Sequence, residues 1–260
     1  MSDNMMYTAI AGLNTFNEAL SVVADNIANA NTTGFKSNTV DFGDLVSGLI
    51  ATSNNNTVAQ GVGSTILGVT ADFTTGSEIQ TGTWSDLMIQ GNGFFAVKDS
   101  GGATYYTRDG SFSINSSGVL SDANGNEVLD DTGAPITVAN PSSYVSFAVD
   151  KYGNLTGTDS TGTVTTLGTI GVTTFSNPNG LIRDGNNYYT PGANAGIQSS
   201  PFSADTGQAG QIISGALEDS NVDLTAQMVN LIDYQADYQA NSKSITTDNE
   251  MIQTITNLIR

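Results

Sequence analysis

Residues 224–260 read LTAQMVN LIDYQAD YQANSKS ITTDNEM IQTITNL IR, and this stretch determines the fold that we expect for the chain. Written in sevens, it places an apolar residue first in every group: Leu224, Leu231, Tyr238, Ile245, Ile252 and Ile259. A strict seven-residue repeat keeps one apolar seam along one side of a slightly underwound helix. Such a seam needs a second helix to cover it, so the pattern predicts a helix with a helical partner.

The other end of the chain carries a matching repeat. Met6, Leu13, Leu20 and Ile27 also fall seven apart, and Ile10 lies between the first two. We predict a helix over about residues 4–31 that forms a coiled coil with the C-terminal helix. The alternative is an amphipathic helix packed on its own domain, but the matching C-terminal repeat favours the coiled coil.

The middle of the chain has the pattern of a β domain. Turn sequences recur about every ten residues, among them Gly91-Asn-Gly93, Ser100-Gly-Gly102 and Asn124-Gly125. Short runs of β-branched or aromatic residues, such as 94–97 and 104–107, stand between them. This spacing is typical of short antiparallel strands joined by tight turns.

We therefore predict an α+β protein, with terminal α-helices forming a coiled coil and an antiparallel all-β domain inserted between them. Residues 1–31 with 216–260 form the helical assembly domain, 32–75 an extended connection, and 76–215 the β domain. Within the connection, residues 37–68 read as extended and irregular, and the polar stretch 53–57 reads as mobile or ordered only by partners. Ser220 or Asn221 is a suitable N-cap for the last helix.

The composition argues against several kinds of partner and site. The chain has 25 acidic and only seven basic residues, a formal net charge of −18. So few positive charges cannot form the basic patch that nucleic acid requires, and they disfavour an anionic membrane surface. The absence of Cys and His excludes disulfides, Cys/His zinc sites and an imidazole base.

Membrane insertion is also disfavoured. No apolar run approaches the roughly 18 residues that a membrane span needs. The first residues lack the basic start and apolar core of a secretory signal, so we expect any export to use another route.

Two stretches offer alternatives that we weigh against turns. Gly91-Asn-Gly93 resembles part of a nucleotide-binding loop, but the third glycine and the following helix are missing, so a hairpin turn is favoured. Residues 122–127 and Asp130-Asp131 group several oxygen ligands, but a calcium site needs six to eight, and strands flank the stretch. With no nucleophile–base pair in view, we predict no cofactor, no metal and no enzymatic activity.

Short motifs occur at both ends and in the middle of the chain. The N-terminal motifs are Gly12-Leu13, Asp25-Asn-Ile-Ala-Asn29 and Thr33-Gly-Phe-Lys36. The β-domain motifs are Asp86-Leu-Met-Ile-Gln-Gly-Asn-Gly-Phe-Phe95, Tyr106-Thr-Arg-Asp-Gly-Ser-Phe112 and Phe175-Ser-Asn-Pro-Asn-Gly-Leu181. The C-terminal motifs are Leu217-Glu218, Ser220-Asn-Val-Asp-Leu224 and Tyr238-Gln-Ala-Asn-Ser-Lys243. Together these motifs resemble those of the bacterial flagellar rod and hook proteins, and the resemblance covers nearly the whole chain in order.

Within that family we interpret the chain as a compact hook protein, with the distal rod protein as the alternative. Residues 238–241, 256–260 and 90–95 look hook-like, and segment 45–70 lacks the long insertion associated with distal rod proteins. Against this, typical hook proteins are longer, and the length suits a distal rod protein. An extracellular carbohydrate-binding or adhesive β protein remains a distant alternative that leaves the terminal repeats unexplained.

The resemblance implies a helical tube of identical subunits that transmits torque from rod to filament, with the terminal helices as its inner wall. Implied partners are other rod proteins, the hook cap, the hook–filament junction and the flagellar export apparatus. The implied location is the hook or basal body, outside the cell after export. In the isolated chain we expect residues 4–30 and 224–258 to be disordered until neighbours cover the seam.

Overall fold

The structure, a computed structural model, describes residues 2–51, 57–196, 202–204 and 209–258. Helix α1 spans Ser2–Ala28 and helix α2 spans Leu224–Leu258. All strands that pair lie between the helices in sequence, and their pairings are antiparallel. The predicted α+β class is confirmed, whereas a supercoil of the two helices stays a prediction.

The N-cap of α2 is Asp223. Its Oδ1 accepts hydrogen bonds from the backbone N–H groups of Thr225 at 2.9 Å and Ala226 at 3.2 Å, which satisfies donors that the first turn leaves free. The expectation of Ser220 or Asn221 as the cap was wrong, because both lie too far upstream of the first helical turn.

The chain divides into two compact units. Unit 1 comprises residues 1–30, 37–72 and 222–260, and unit 2 comprises residues 31–36 and 73–221. Within the described residues, neither helix is long and apolar enough to cross a membrane.

Unit 1 contains the two helices and a long β-hairpin. Strand β1 (Asn38–Ala51) pairs with β2 (Thr57–Ala71), in a register that runs from Asn38 opposite Ala71 to Ala51 opposite Thr57. The sequence suggested an irregular extended segment here. The strands pair instead, because β-branched residues recur along both of them. Residues 52–56, most of the stretch predicted to be mobile, lie outside the described residues.

The hairpin is joined to α1 by specific polar contacts. The Thr15 hydroxyl donates to the Ser64 carbonyl oxygen at 2.8 Å. The Asn26 amide makes two bonds to the backbone of Asn38, donating to its oxygen at 2.7 Å and accepting from its nitrogen at 2.8 Å. Asn26 is fully buried, so these bonds satisfy a side chain that would otherwise be costly to shield from water.

Unit 2 consists of short strands. They are β3 (Glu78–Gln80), β4 (Leu87–Gln90), β5 (Phe94–Lys98), β6 (Thr104–Thr107), β7 (Ser113–Ile114), β8 (Leu120–Ser121), β9 (Glu127–Val128), β10 (Tyr144–Val149), β11 (Asn154–Asp159), β12 (Val164–Thr169), β13 (Gly171–Thr173), β14 (Leu181–Gly185), β15 (Tyr188–Pro191), β16 (Phe202–Ser203), β17 (Gln211–Ser214) and β18 (Ala216–Glu218).

The largest sheet of unit 2 has the order β14-β15-β6-β5-β9-β8-β7, with β13 paired to β5 and β16 paired to β13. A three-stranded sheet has the order β10-β11-β12, and two further pairs are β17-β4 and β18-β3. The antiparallel β domain predicted for the middle of the chain is therefore present.

The core of unit 2 forms on both faces of strand β5. Phe95 and Val97 belong to the larger apolar cluster, whereas Phe94 and Ala96 belong to a second cluster on the other face. Because successive side chains of a strand point to opposite faces, a strand of four buried residues needs cover on both sides. This explains why β5 lies in the middle of its sheet.

Candidate assembly surface and buried ionic cluster

The helices α1 and α2 pack antiparallel in unit 1. Near the start of α2, Asn26 Nδ2 donates to Gln227 Oε1 at 3.2 Å. Fourteen residues away along each helix, Gly12 lies against Asn241, where an added Cβ would be 2.9 Å from the Asn241 Oδ1. These two contacts fix the register of the helix pair.

The shielded face of α1 consists mainly of small side chains. Its buried residues are Ala9, Gly12, Thr15, Ala19, Val23 and Asn26. They recur every three or four residues, which is the spacing of one helix face. The distance between packed helices depends on the side chains at the contact, so small residues allow a close approach. The heptad pattern marks only large apolar residues and does not reveal this stripe.

None of the described seam residues is buried. Ile10, Leu224, Tyr238 and Ile252 are exposed, at 39% to 43% of their possible surface. Six more are half-buried: Met6, Leu13, Leu20, Ile27, Leu231 and Ile245. Ile259 lies outside the described residues. Within one chain the described seam thus keeps apolar surface open to solvent, and its role in assembly stays a prediction.

Unit 1 exposes further large apolar side chains. On the helices they are Met5, Tyr7, Met228, Val229, Ile232, Met251, Ile255 and Leu258. On the hairpin they are Phe42, Leu45, Val46, Leu67 and Val69. Single exposed apolar residues are ordinary, but extensive apolar surface marks a site of interaction. We refer to these residues, together with the exposed seam residues, as the apolar surface of unit 1.

Three aromatic rings connect the helices with the hairpin. The rings of Phe16 on α1, Phe42 on β1 and Tyr234 on α2 have centroids 5.8 to 6.1 Å apart. Burial raises the pKa of Tyr234, and the nearby carboxylates of Asp233 and Asp237 raise it further. The phenol is therefore neutral at physiological pH, and the three rings pack as apolar groups.

Unit 2 contains a buried ionic cluster centred on Glu218. Its Oε1 lies 2.5 Å from the Lys36 ammonium nitrogen and accepts the backbone N–H of Gly76 at 2.9 Å. Its Oε2 accepts from Arg108 Nη1 at 3.3 Å. The three charged side chains are at most 2% exposed. Buried charges are tolerated when they are both paired and hydrogen-bonded, which is the arrangement here.

Arg108 has further partners in the same unit. Its Nη2 donates to the Gly91 carbonyl at 2.9 Å, and its guanidinium lies 5.1 Å from the centre of the Phe94 ring. Burial lowers the pKa of Arg108, while the charge of Glu218 and its hydrogen bond oppose this effect. Arginine stays protonated in proteins, so Arg108 keeps its charge at neutral pH.

The cluster holds together the places where the chain enters and leaves unit 2. Lys36 Nζ donates to the Thr74 oxygen at 2.6 Å, and the Asn221 amide donates to the same oxygen at 3.2 Å. The Gly34 N–H donates to the Glu218 backbone oxygen at 2.8 Å. Lys36, Thr74 and Asn221 each lie within two residues of a boundary of this unit.

The stretch weighed as a calcium site is an ordered turn. The Asp122 Oδ1 accepts the backbone N–H groups of Asn124 at 2.9 Å and Asn126 at 2.8 Å. The Tyr188 hydroxyl donates to the other oxygen, Oδ2. Protein donors thus occupy both carboxylate oxygens, and among the described residues no cluster of acidic groups could hold a metal ion.

The same turn recurs around Asp130. Its Oδ1 accepts the N–H groups of Thr132 and Ala134, both at 2.8 Å. Burial alone would raise the pKa of Asp130, but the hydrogen bonds from Thr132, Ala134 and Gly133 outweigh it and lower the pKa. Asp150 and Asp159 follow the same pattern, so these acids serve to order hairpin loops of the β unit.

Gly91-Asn-Gly93, considered above as part of a nucleotide loop, connects strands β4 and β5. Gly91 and Gly93 have φ angles of 116° and 131°, a conformation that glycine adopts without strain. A strand and not a helix follows the turn, so the helix N-terminus that would bind phosphate is missing here.

These features define a class of protein. A chain whose terminal helices and hairpin expose apolar surface, and whose β unit has its chain ends joined by a buried ionic cluster, is built to associate with other chains. The sequence matches agree with this class. Residues 6–36 match the family described as flagella basal body rod protein, 88–157 the flagellar hook protein FlgE/F/G D1 domain, and 213–258 the flagellar basal body rod FlgEFG protein C-terminal region. The chain belongs to the bacterial flagellar rod and hook protein family.

Relatives that match over nearly their full length are named as rod proteins. The flagellar basal-body rod protein FlgG of Bacillus subtilis is 36% identical over 98% of both chains. FlgG of Borreliella burgdorferi is 32% identical over 98% of both chains. The rod protein FlgF of Caulobacter vibrioides is 33% identical over 96% of this chain and 95% of the relative. These names favour the rod over the hook.

Proposed function

We propose that this chain is the structural subunit of the distal flagellar rod, which polymerises into a tube that serves as a drive shaft. The supporting observation is the apolar surface of unit 1, on both helices and the hairpin. Its burial between neighbouring subunits would contribute about 25 cal/mol per Å². A contact that does not close on itself generates a helical polymer and not a ring.

We now favour the distal rod protein over the hook protein, which the sequence analysis had favoured. The hook assignment depended on short motifs and on the missing insertion between residues 45 and 70. Relatives named FlgG align over 98% of both chains, so at this length no large segment separates this chain from rod proteins. The hook-like motifs each cover only a few residues, so they weigh less than these alignments in the choice between hook and rod.

The buried ionic cluster suits a subunit that carries torque. Force on unit 1 reaches unit 2 along the polypeptide, which enters and leaves unit 2 beside Lys36, Thr74 and Asn221. Hydrogen bonds of these residues and of Glu218 hold those chain ends together. The force is thereby distributed over the chain segments that these hydrogen bonds connect, and no single segment carries all of it.

The partners and location follow from the family. The subunit would contact identical copies and other axial proteins of the flagellum at the basal body. Passage through the flagellar export apparatus, and contacts with hook-cap or junction proteins, are part of the same proposal. The exclusion of nucleic acid is supported by the net charge of −18.

Electron microscopy of the purified full chain under assembly conditions tests the proposal. We expect straight tubes, whereas curved tubes would indicate a hook. Ile232→Glu places a charge on the apolar surface of unit 1 and should abolish the tubes. Val145→Glu changes a side chain of unit 2 that is 74% exposed, and serves as the matched control. If both variants form tubes, the apolar surface of unit 1 is not the contact between subunits.

A further inference from the structure

The three-stranded sheet of unit 2 has two open edges. Its order is β10-β11-β12, and in the part of unit 2 that the structure describes, β10 and β12 each pair with β11 alone. The outer side of an edge strand presents backbone N–H and C=O groups that can pair with a strand of another chain. Each edge of this sheet is therefore a possible site of association.

The hydrogen bonds at the two hairpin turns show which backbone groups are open. The Asp150 N–H donates to the Asn154 oxygen at 3.2 Å, and the Asp159 N–H donates to the Thr163 oxygen at 3.1 Å. Bonded and non-bonded pairs alternate along an antiparallel ladder. The residues whose backbone groups then point away from β11 are Phe147 and Val149 on β10, and Val164 and Thr166 on β12.

These two edges carry no charge. Residues 144–149 and 164–169 contain neither a charged residue nor Pro, which are common means of keeping an edge strand from pairing. By contrast, the edge strand β14 contains Arg183 and Asp184, and β3 contains Glu78. The register shifts of the sheet fall outside residues 147–149 and 164–166, and one of them lies at Val145, the control position of the tube experiment.

A groove runs beside the open edge of β10. The Ile212 N–H donates to the Lys151 oxygen at 3.1 Å and joins the loop after β10 to β17. Next to this bond lies a cavity of about 390 Å³, and its lining includes Glu78, Trp84, Phe147, Val149, Ile213 and Ala216. Because its charged wall residue is an acid, the groove favours an uncharged strand over an acidic one.

We propose that residues 164–166 of β12 in one copy of this chain pair with residues 147–149 of β10 in a second copy. The added strand has no charge to repel Glu78, and it covers Val164, which is 64% exposed. Since the two edges are different, the contact is heterologous and continues from copy to copy. It adds to the contact through the apolar surface of unit 1, and in this respect it rests on the proposed function.

Disulfide cross-linking tests the pairing, because the chain has no Cys of its own. Strands β10 and β12 are both antiparallel to β11, so copies in the same orientation pair them in parallel. The alternation of backbone groups then places Ala148 opposite either Val164 or Thr166 of the second copy. Within one copy, β11 separates these positions by about 9 to 10 Å, which is too far for a disulfide.

Two double variants, Ala148→Cys with Val164→Cys and Ala148→Cys with Thr166→Cys, are oxidised under assembly conditions. We expect one of them to give dimers, trimers and higher products on a non-reducing gel. Ala148→Cys alone is the first control. Ala148→Cys with Ser116→Cys, at an exposed turn position, is the second, and both controls should stay single chains.

Each other outcome overturns a defined part of the proposal. A dimer from Ala148→Cys alone would mean that β10 pairs with itself, and an equal ladder from the Ser116 variant would mean unspecific oxidation. Tubes without cross-links in either double variant would refute the pairing and leave the proposed function intact. A ladder without tubes would refute the proposed function and leave the pairing, whereas neither tubes nor ladder would refute both.

Discussion

The ammonium of Lys36 lies 2.5 Å from Oε1 of Glu218, and neither side chain is exposed to solvent. The two residues are separated by most of the chain. Arg108, which lies between them in the sequence, also pairs with Glu218. Each lies inside a motif that links the sequence to flagellar axial proteins. The ion pair therefore explains a structural role of those motifs: they join the chain ends of unit 2.

Replacing Glu218 by Ala should strongly destabilise unit 2. The change leaves Lys36 and Arg108 buried without an anion, and breaking a buried ion pair from one side costs about 3–5 kcal/mol. Urea unfolding of the full chain, followed by the fluorescence of the single tryptophan, Trp84, measures the loss. Glu78→Gln, an exposed acid on β3, is the control and should change the midpoint little. Equal midpoints for Glu218→Ala and the unmodified chain would contradict the assigned role.

Gly110→Ala should also disrupt unit 2, through sterics and not charge. A Cβ at Gly110 would lie 1.8 Å from the Leu87 carbonyl oxygen, a distance that the backbone cannot accommodate without moving. We expect a loss of more than about 3 kcal/mol in the free energy of unfolding, the upper range for overpacking. Gly168→Ala is the matched control, since its Cβ would meet Ile136 at an ordinary 3.4 Å. Similar urea midpoints for the two variants would refute this account.

Gly12→Leu tests the close approach of the helices in unit 1. Asn241 leaves no room for a larger side chain at this position. We expect unit 1 to lose about 1–3 kcal/mol, the usual cost of overpacking, with less helical signal in circular dichroism and unchanged Trp84 fluorescence. Asn17→Leu introduces the same side chain on the exposed face of α1 and should preserve the helical signal. Retention of full helicity by Gly12→Leu would show that the helices can separate without loss.

Much of the fold could be predicted because its patterns are local. The heptads over residues 224–260 and the absence of Gly and Pro there indicated the C-terminal helix, and the regular turns indicated the β unit. The hairpin 38–71 was harder to predict, since its strands are irregular, with register shifts, and contain several glycines. Its contacts with α1 depend on tertiary packing that no local pattern reveals.

The candidate site could be predicted only in part. Large apolar residues pointed to the helices as interaction surfaces, but the buried stripe of Ala9, Gly12 and Ala19 has little hydrophobicity to reveal it. The ionic cluster was missed for another reason. Lys36, Arg108 and Glu218 lie far apart in the sequence, and only the fold brings them within bonding distance.

Tyr188 should resist ionisation well beyond the ordinary range of a tyrosine. Burial raises its pKa to about 12, and the hydrogen bond that its hydroxyl donates to Asp122 contributes in the same direction. Because the folded-state pKa lies above the unfolded value of about 10, the neutral phenol stabilises the fold below pH 10. That contribution is lost as the pH rises from 10 through 12. Phenolate absorbance should show fewer groups titrating near 10 than in the unfolded chain, because burial also raises the pKa of Tyr106, Tyr189 and Tyr234. Tyr188→Phe removes the titrating group, so its urea midpoint should fall less steeply between pH 10 and 12. Parallel curves for the two proteins would show that the bond to Asp122 does not couple ionisation to folding.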